Sequence, residues 1–154
     1  MLQPASAVAP QLVVLDTNIV LDLWLYQDPA TPALLQALLQ NTVCWLATPV
    51  MRDELERVLA YAHIAKRLAL GGLTAEHVLT QFDTHAKLVA VAPKAPFVCK
   101  DPDDQQFIDL AAQHQAALVS KDKAVLTMRN RMARLGVSVG KIYPLSAVAA
   151  TATK

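Results

Sequence analysis

Four carboxylates carry the chemistry this sequence can do: Asp16, Glu54, Asp104 and Asp122. Asp16 closes the apolar run Leu12-Val13-Val14-Leu15, and Asp122 follows Ala116-Ala117-Leu118-Val119-Ser120-Lys121. Each of these two acids ends a short stretch that reads as a strand buried on both faces of a parallel sheet. In open α/β sheets, ligand sites gather outside the carboxyl ends of the strands. Asp104 stands in the first turn of a helix that returns to the strand before Asp122. Glu54 stands on the helix after a second strand. Both helices begin at the same sheet edge, so the four acids converge there. Carboxylates gathered without a compensating lysine raise one another's pKa, and are tolerated mostly where a cation binds. All-oxygen ligands suit Mg²⁺ or Mn²⁺. Such ions activate water and stabilise a leaving oxygen in phosphodiester hydrolysis.

The elements that must position these acids follow from pattern. A strand from 12 to 15 leads into a helix over 18–26, with a break at Asp28-Pro29. Pro32 opens a helix over 33–39, and 42–47 is a second strand. Thr48 as N-cap and Pro49 at the first helical position start the helix of Glu54. Its apolar stripe is Met51, Leu55, Val58 and Leu59. At 100° per residue Glu54 falls about 60° from Met51, on the border of that stripe. A plain ion pair with Arg52 or Arg57 explains Glu54 equally well from the helix alone. A helical region over 63–72 stops at Gly71-Gly72, and Thr74 caps another helix that runs to about His85. A third strand is expected over 87–92, then a loop marked by Pro93 and Pro96. Asp101 as N-cap, Pro102 at the first position and acids in the first turn make a complete helix start with no chemistry at all. Residues 116–120 form a fourth strand. One basic helix over 123–135 ends at Gly136, and a last strand spans 137–143. Strands alternating with helices predict one α/β domain with a mostly parallel sheet over 12–148. Residues 1–11 read as a loose arm and 149–154 as a frayed tail.

Bulk properties narrow the class. The 154 residues are 54% hydrophobic with mean hydropathy +0.30, which excludes a disordered chain. Aromatics are 5%, so a core of Leu, Val, Ile and Ala is expected. No apolar run approaches the ~20 residues needed to span a bilayer. The first residues lack a basic stretch, so no signal peptide and a cytoplasmic location are expected. Cys44 and Cys99 make no CxxC, the four histidines no HExxH, and the four glycines no phosphate-cradling loop. Net charge is +1, giving no global pull on nucleic acid. Between His114 and Lys141, however, Lys121, Lys123, Arg129, Arg131 and Arg134 face only one acid, Asp122. That segment suits a phosphate backbone, and a solvated helix face explains it as simply.

In order and spacing, the pieces Asp16-Thr17-Asn18, Glu54-Leu55, Asp101-Pro102-Asp103-Asp104 and Leu118-Val119-Ser120-Lys121-Asp122 resemble the PIN-domain family over 13–145. The nearest likeness is to VapC-like toxins of bacterial toxin–antitoxin pairs. The resemblance implies a three-layer α/β/α fold and a metal-dependent endoribonuclease that leaves a 5′-phosphate and a 3′-hydroxyl. It implies Mg²⁺ or Mn²⁺ held by Asp16, Glu54, Asp104 and Asp122, with Asn18 and Ser120 as polar supports. Asp101 becomes an auxiliary group and Asp103 a capping residue. Lys121, Lys123, Arg129 and Arg131 become the RNA-binding side chains. Implied partners are single-stranded or structured RNA, a cognate antitoxin and a second copy of the chain, with 32–39 and 74–82 as candidate dimer faces. A phosphatase of the haloacid-dehalogenase kind, with Asp16 as nucleophile, wants an acid where Asn18 stands. A silent partner-binding module has no need of all four acids.

Overall fold

A computed structural model describes residues 9–145. Residues 1–8 of the expected arm, and the whole expected tail 149–154, lie outside the described residues. Strands β1 (Gln11–Leu15), β2 (Val43–Ala47), β3 (Ala86–Leu88), β4 (Ala117–Val119) and β5 (Val139–Gly140) form one sheet in the order β3-β2-β1-β4-β5. Every pairing is parallel. β1 lies at the centre, with Val13 in register with Trp45 on one side and Ala117 on the other. Val13 and Val14 are both fully buried. Both faces of the strand are therefore covered, which is why its sequence is apolar without alternation.

From β1 the chain steps outward to β2 and β3, then crosses to β4 and β5 on the other side. Right-handed crossovers put the connections on opposite faces of the sheet for these two directions. One layer holds α1 (Thr17–Leu21), a π-helical turn (Asp22–Tyr26), α2 (Pro32–Leu39), α3 (Pro49–Leu59), α4 (Ala62–Leu70) and α5 (Ala75–His85). The other holds a 3₁₀ turn (Pro102–Asp104), α6 (Gln105–His114), α7 (Lys123–Leu126) and α8 (Arg129–Ala133). The fold is a three-layer α/β/α sandwich. Its strand order reverses between β1 and β4, the position where such sheets open a crevice.

Local chemistry sets the helix starts. The Thr48 hydroxyl accepts from the Met51 amide at 3.2 Å, and the Thr74 hydroxyl accepts from the His77 amide at 3.1 Å. The Asp101 carboxylate accepts from the Asp103 amide at 3.0 Å, and Asp122 accepts from the Ala124 amide at 2.8 Å. Arg52 is held by Asp83, not by Glu54, through a two-pronged ion pair.

Four expectations change. The first helix does not run regularly to Tyr26; it loosens into the π-helical turn, where Asp22, Leu23, Trp24 and Leu25 are all buried. The core is not purely aliphatic. Trp24 stacks on Trp45 at 5.8 Å and on His85, and Phe82 meets Trp45 edge-on at 5.0 Å. Both tryptophans and Phe82 meet where the π-helical turn, β2 and α5 come together. The basic helix over 123–135 is two short helices, α7 and α8. Between them the Thr127 hydroxyl bonds the Ala124 carbonyl at 2.9 Å, a local bond that competes with helix continuation. Finally, β3 and β5 are shorter than expected. β5 stops at Gly140, where a Cβ would lie 2.6 Å from the Leu145 side chain. No helix of the described residues is long and apolar enough to cross a membrane.

Trp45→Ala is expected to cost about 3–5 kcal/mol, the usual range for emptying a fully packed aromatic site. Thr48→Ala, which removes only a cap, is expected to cost about 1 kcal/mol. Urea midpoints measure both; equal, small shifts would contradict the aromatic cluster as a centre of the core.

Candidate active site

The site forms where β1 and β4 end side by side. Leu15 pairs with Val119 in the sheet, and the Asp16 amide donates to the Val119 carbonyl at 3.0 Å. The next residue of each strand is polar. The Ser120 hydroxyl, fully buried, donates to Asp16 Oδ2 at 2.6 Å and accepts from the Asp122 amide at 3.0 Å. One serine thus fixes both acids. Asp104 enters from the opposite direction, at the last residue of the 3₁₀ turn that precedes α6. Asp16, Asp104 and Asp122 each offer an oxygen, and these oxygens lie within 4.8 Å of one another.

Glu54 stands outside that trio but feels it. Its carboxylate accepts from the Thr17 hydroxyl at 3.3 Å and, over a short contact, from the Gln106 side-chain amide. Thr17 follows β1 and Gln106 lies on α6. Glu54 on α3 therefore ties the two helical layers together across the top of the sheet.

The electrostatics are those of an acid group under strain. Burial pushes the Asp104 carboxyl up to about 8, helped by the charges of Asp16 and Asp122. Burial also raises Asp16, against the lowering effect of Ser120 and the Asn18 amide. Glu54 is raised by burial, opposed by Thr17, with the Asp16 charge adding to the rise. A side-chain hydrogen bond to Asp122 also raises Asp104, while Asp104 Oδ2 is buried with no hydrogen-bond partner among the described residues. Three converging carboxylates and an orphaned oxygen form a donor set that fits a hard divalent cation. Asp16, Asp104 and Asp122 would hold it, with Glu54 at the rim.

The remaining expected residues are placed differently. The Asn18 side chain is exposed, and its contribution to Asp16 comes from its backbone amide. Asp101 caps the 3₁₀ turn, and its charge adds to the rise of Asp104. Lys121 does not face the acids as a free cation. Its ammonium pairs with the buried Asp22 at 2.6 Å. Lys123 and Arg129 are exposed, and Arg131 is half-buried. The break between α7 and α8 divides what read as one basic face. Sequence reasoning missed Thr17, Gln106 and Asp22. Thr17 lies directly beside Asp16 and carried a usable signal: a β-branched hydroxyl at the start of a helix buried nearly all round.

The raised acids set a pH dependence. Between the ordinary carboxylate range and about pH 8, folded Asp104 keeps its proton while the unfolded chain has lost it. The unfolded state then binds fewer protons, so stability falls as pH rises through that window. Asp104→Asn removes the penalty. With EDTA present it is expected to melt higher than wild type at pH 8 and little different at pH 4, with about 2–4 °C gained per kcal/mol relieved. Equal loss of melting temperature at both pH values would contradict this electrostatic picture.

The family comparison agrees with this geometry. No curated protein matches the chain. A family model described as PIN domain matches residues 12–124, from the start of β1 to the first turn of α7. All four acids lie within the matched residues, and the match covers well over half of the 154-residue chain. The chain belongs to the PIN-domain family.

Proposed function

We propose that this protein is a divalent-cation-dependent endoribonuclease whose scissile phosphate lies over Asp16, Asp104 and Asp122. PIN domains are generally nucleases, and PIN-domain nucleases act on RNA. The observation that carries the reading to this chain is the convergence of three carboxylates within 4.8 Å, one with an orphaned buried oxygen. A bound Mg²⁺ or Mn²⁺ would supply a Lewis acid for the phosphate and lower the pKa of water.

The chain's own residues do the rest. Ser120 orients Asp16 and, through its bond from the Asp122 amide, sets the position of the second strand-end acid. Thr17 and Gln106 hold the Glu54 carboxylate at the rim. Glu54 is half-buried with a raised pKa, so it is suited to take a proton from the attacking water. Lys123 and Arg129, exposed and basic after Asp122 in the chain, are the side chains assigned to the phosphate backbone. The expected products are a 5′-phosphate and a 3′-hydroxyl. The likeness to toxin components supports a role as the toxin of a toxin–antitoxin pair, working as a dimer and inhibited by a cognate antitoxin.

Labelled single-stranded and hairpin RNAs, incubated with Mn²⁺, Mg²⁺ or EDTA, test the proposal. Cutting is expected with either ion, absent in EDTA, and abolished by Asp16→Asn. Thr17→Val is expected to lose about 10–100-fold, as residues that orient ligand carboxylates do. Full activity of Asp16→Asn, or cutting in EDTA, would overturn the assignment. No Mn²⁺ binding together with no cutting of any RNA would favour a silent partner-binding domain.

A further inference from the structure

Beside the acids lies a cavity of about 240 Å³ that the proposed chemistry does not use. We propose that it is a base-binding subsite for the nucleotide adjoining the scissile phosphate, selective for bases with an exocyclic amino group. This rests on the ribonuclease reading of the neighbouring acids.

The cavity shares its backbone with the acid site. Val119 and Lys121 line it, and between them stands Ser120, whose hydroxyl holds Asp16. Ile19, three residues beyond Asp16, lines the same wall. Lys121 and Asp122 are chain neighbours, with Cα atoms about 3.8 Å apart. A base in the cavity and a phosphate over the acids therefore belong to adjoining positions on one strand.

Its size and lining select the ligand. The volume lies below the ~300 Å³ at which pockets begin to take drug-sized ligands, so it suits a single ring system. Leu34 and Tyr143 supply apolar and aromatic surface against which a ring can stack. The polar lining is two carboxylates, Asp22 and Asp28, and two ammonium groups, Lys121 and Lys141. Asp22 and Lys121 pair with each other, so a purely apolar ligand would leave Asp28 and Lys141 without an ion-pair partner among the described residues, and a free anion would face two carboxylates. A nucleotide answers both signs, with phosphate for lysine and amino hydrogens for carboxylate.

Asp22 is the recognition group this assigns. It is 5% exposed, opens the π-helical turn, and is held in place by Lys121. Single π-helical turns inside helices often mark functional sites. Cytosine, adenine and guanine each carry an amino group with two hydrogens to donate to a carboxylate, whereas uracil offers only its N3–H, flanked by two carbonyl oxygens that a carboxylate repels. Lys141 is exposed at the cavity, and no ion pair holds it among the described residues.

The test is binding of CMP, GMP, AMP, UMP and inorganic phosphate to the full chain in EDTA, followed by amide chemical shifts in NMR. The three amino-bearing nucleotides are expected to bind at least tenfold tighter than UMP, with shifts centred on Lys121, Lys141 and Tyr143. Asp22→Asn is expected to abolish the discrimination. Ile142→Glu, at a lining position 53% exposed and so harmless to folding, is expected to weaken CMP binding about tenfold. Equal binding of UMP and CMP overturns the selectivity. Phosphate alone binding as well as CMP overturns the base subsite, as do shifts elsewhere. Because no metal or cleavage is involved, this experiment can fail while the RNA-cutting assay succeeds, and the reverse.

Discussion

The site depends on one alignment: Leu15 beside Val119 in the parallel pairing of β1 and β4. That register sets Asp16 beside Ser120, and the 2.6 Å hydrogen bond between them holds a carboxylate that burial and the Asp122 charge oppose. A slip of one residue would turn Ser120 to the other face and leave Asp16 buried with only the backbone amides of Thr17 and Asn18 as donors. Val13 and Val14 on β1, and Leu118 on β4, are fully buried around this pairing.

The acids cost the fold stability. Asp104 is buried with an orphaned oxygen and its proton held up to about pH 8. A cation at that oxygen would replace the proton and satisfy the acceptor, so affinity for metal and the stability cost of the buried acids have the same source. The surrounding polar contacts limit the cost without removing it. Ser120 serves Asp16 and Asp122, while Thr17 and Gln106 serve Glu54. The Glu54 contacts also join α3 to α6 above the sheet edge, so the two helical layers share one polar connection at the site.

Asp16 and Asp122 were legible in the sequence because each terminates a buried strand, and Asp104 because Asp101 and Pro102 mark the turn that carries it. The caps at Thr48 and Thr74 were equally plain. Glu54 was ambiguous from its helix alone. Arg52, its obvious local partner, is instead held by Asp83, 31 residues away. Thr17 and Gln106 meet Glu54 across 37 and 52 positions, and Asp22 meets Lys121 from another element. Periodicity reports which face of an element is buried, not which remote side chain it meets. The same limit hid the aromatic cluster, because composition counts aromatic residues without showing that Trp24, Trp45 and Phe82 converge. The split between α7 and α8 falls at Thr127, whose hydroxyl bonds the Ala124 carbonyl, too small a feature for a window of apolar spacing.

In the proposed cation site of Asp16, Asp104 and Asp122, Asp104 holds a proton that a bound metal must displace. Calorimetric titration of Mn²⁺ into the full chain at pH 7, repeated in two buffers of different ionisation enthalpy, tests it most directly. Saturable binding with release of about one proton is the result this account requires, since the metal must displace the proton from its ligand. Absence of binding, or binding with no proton release and no dependence on Asp104, would contradict it.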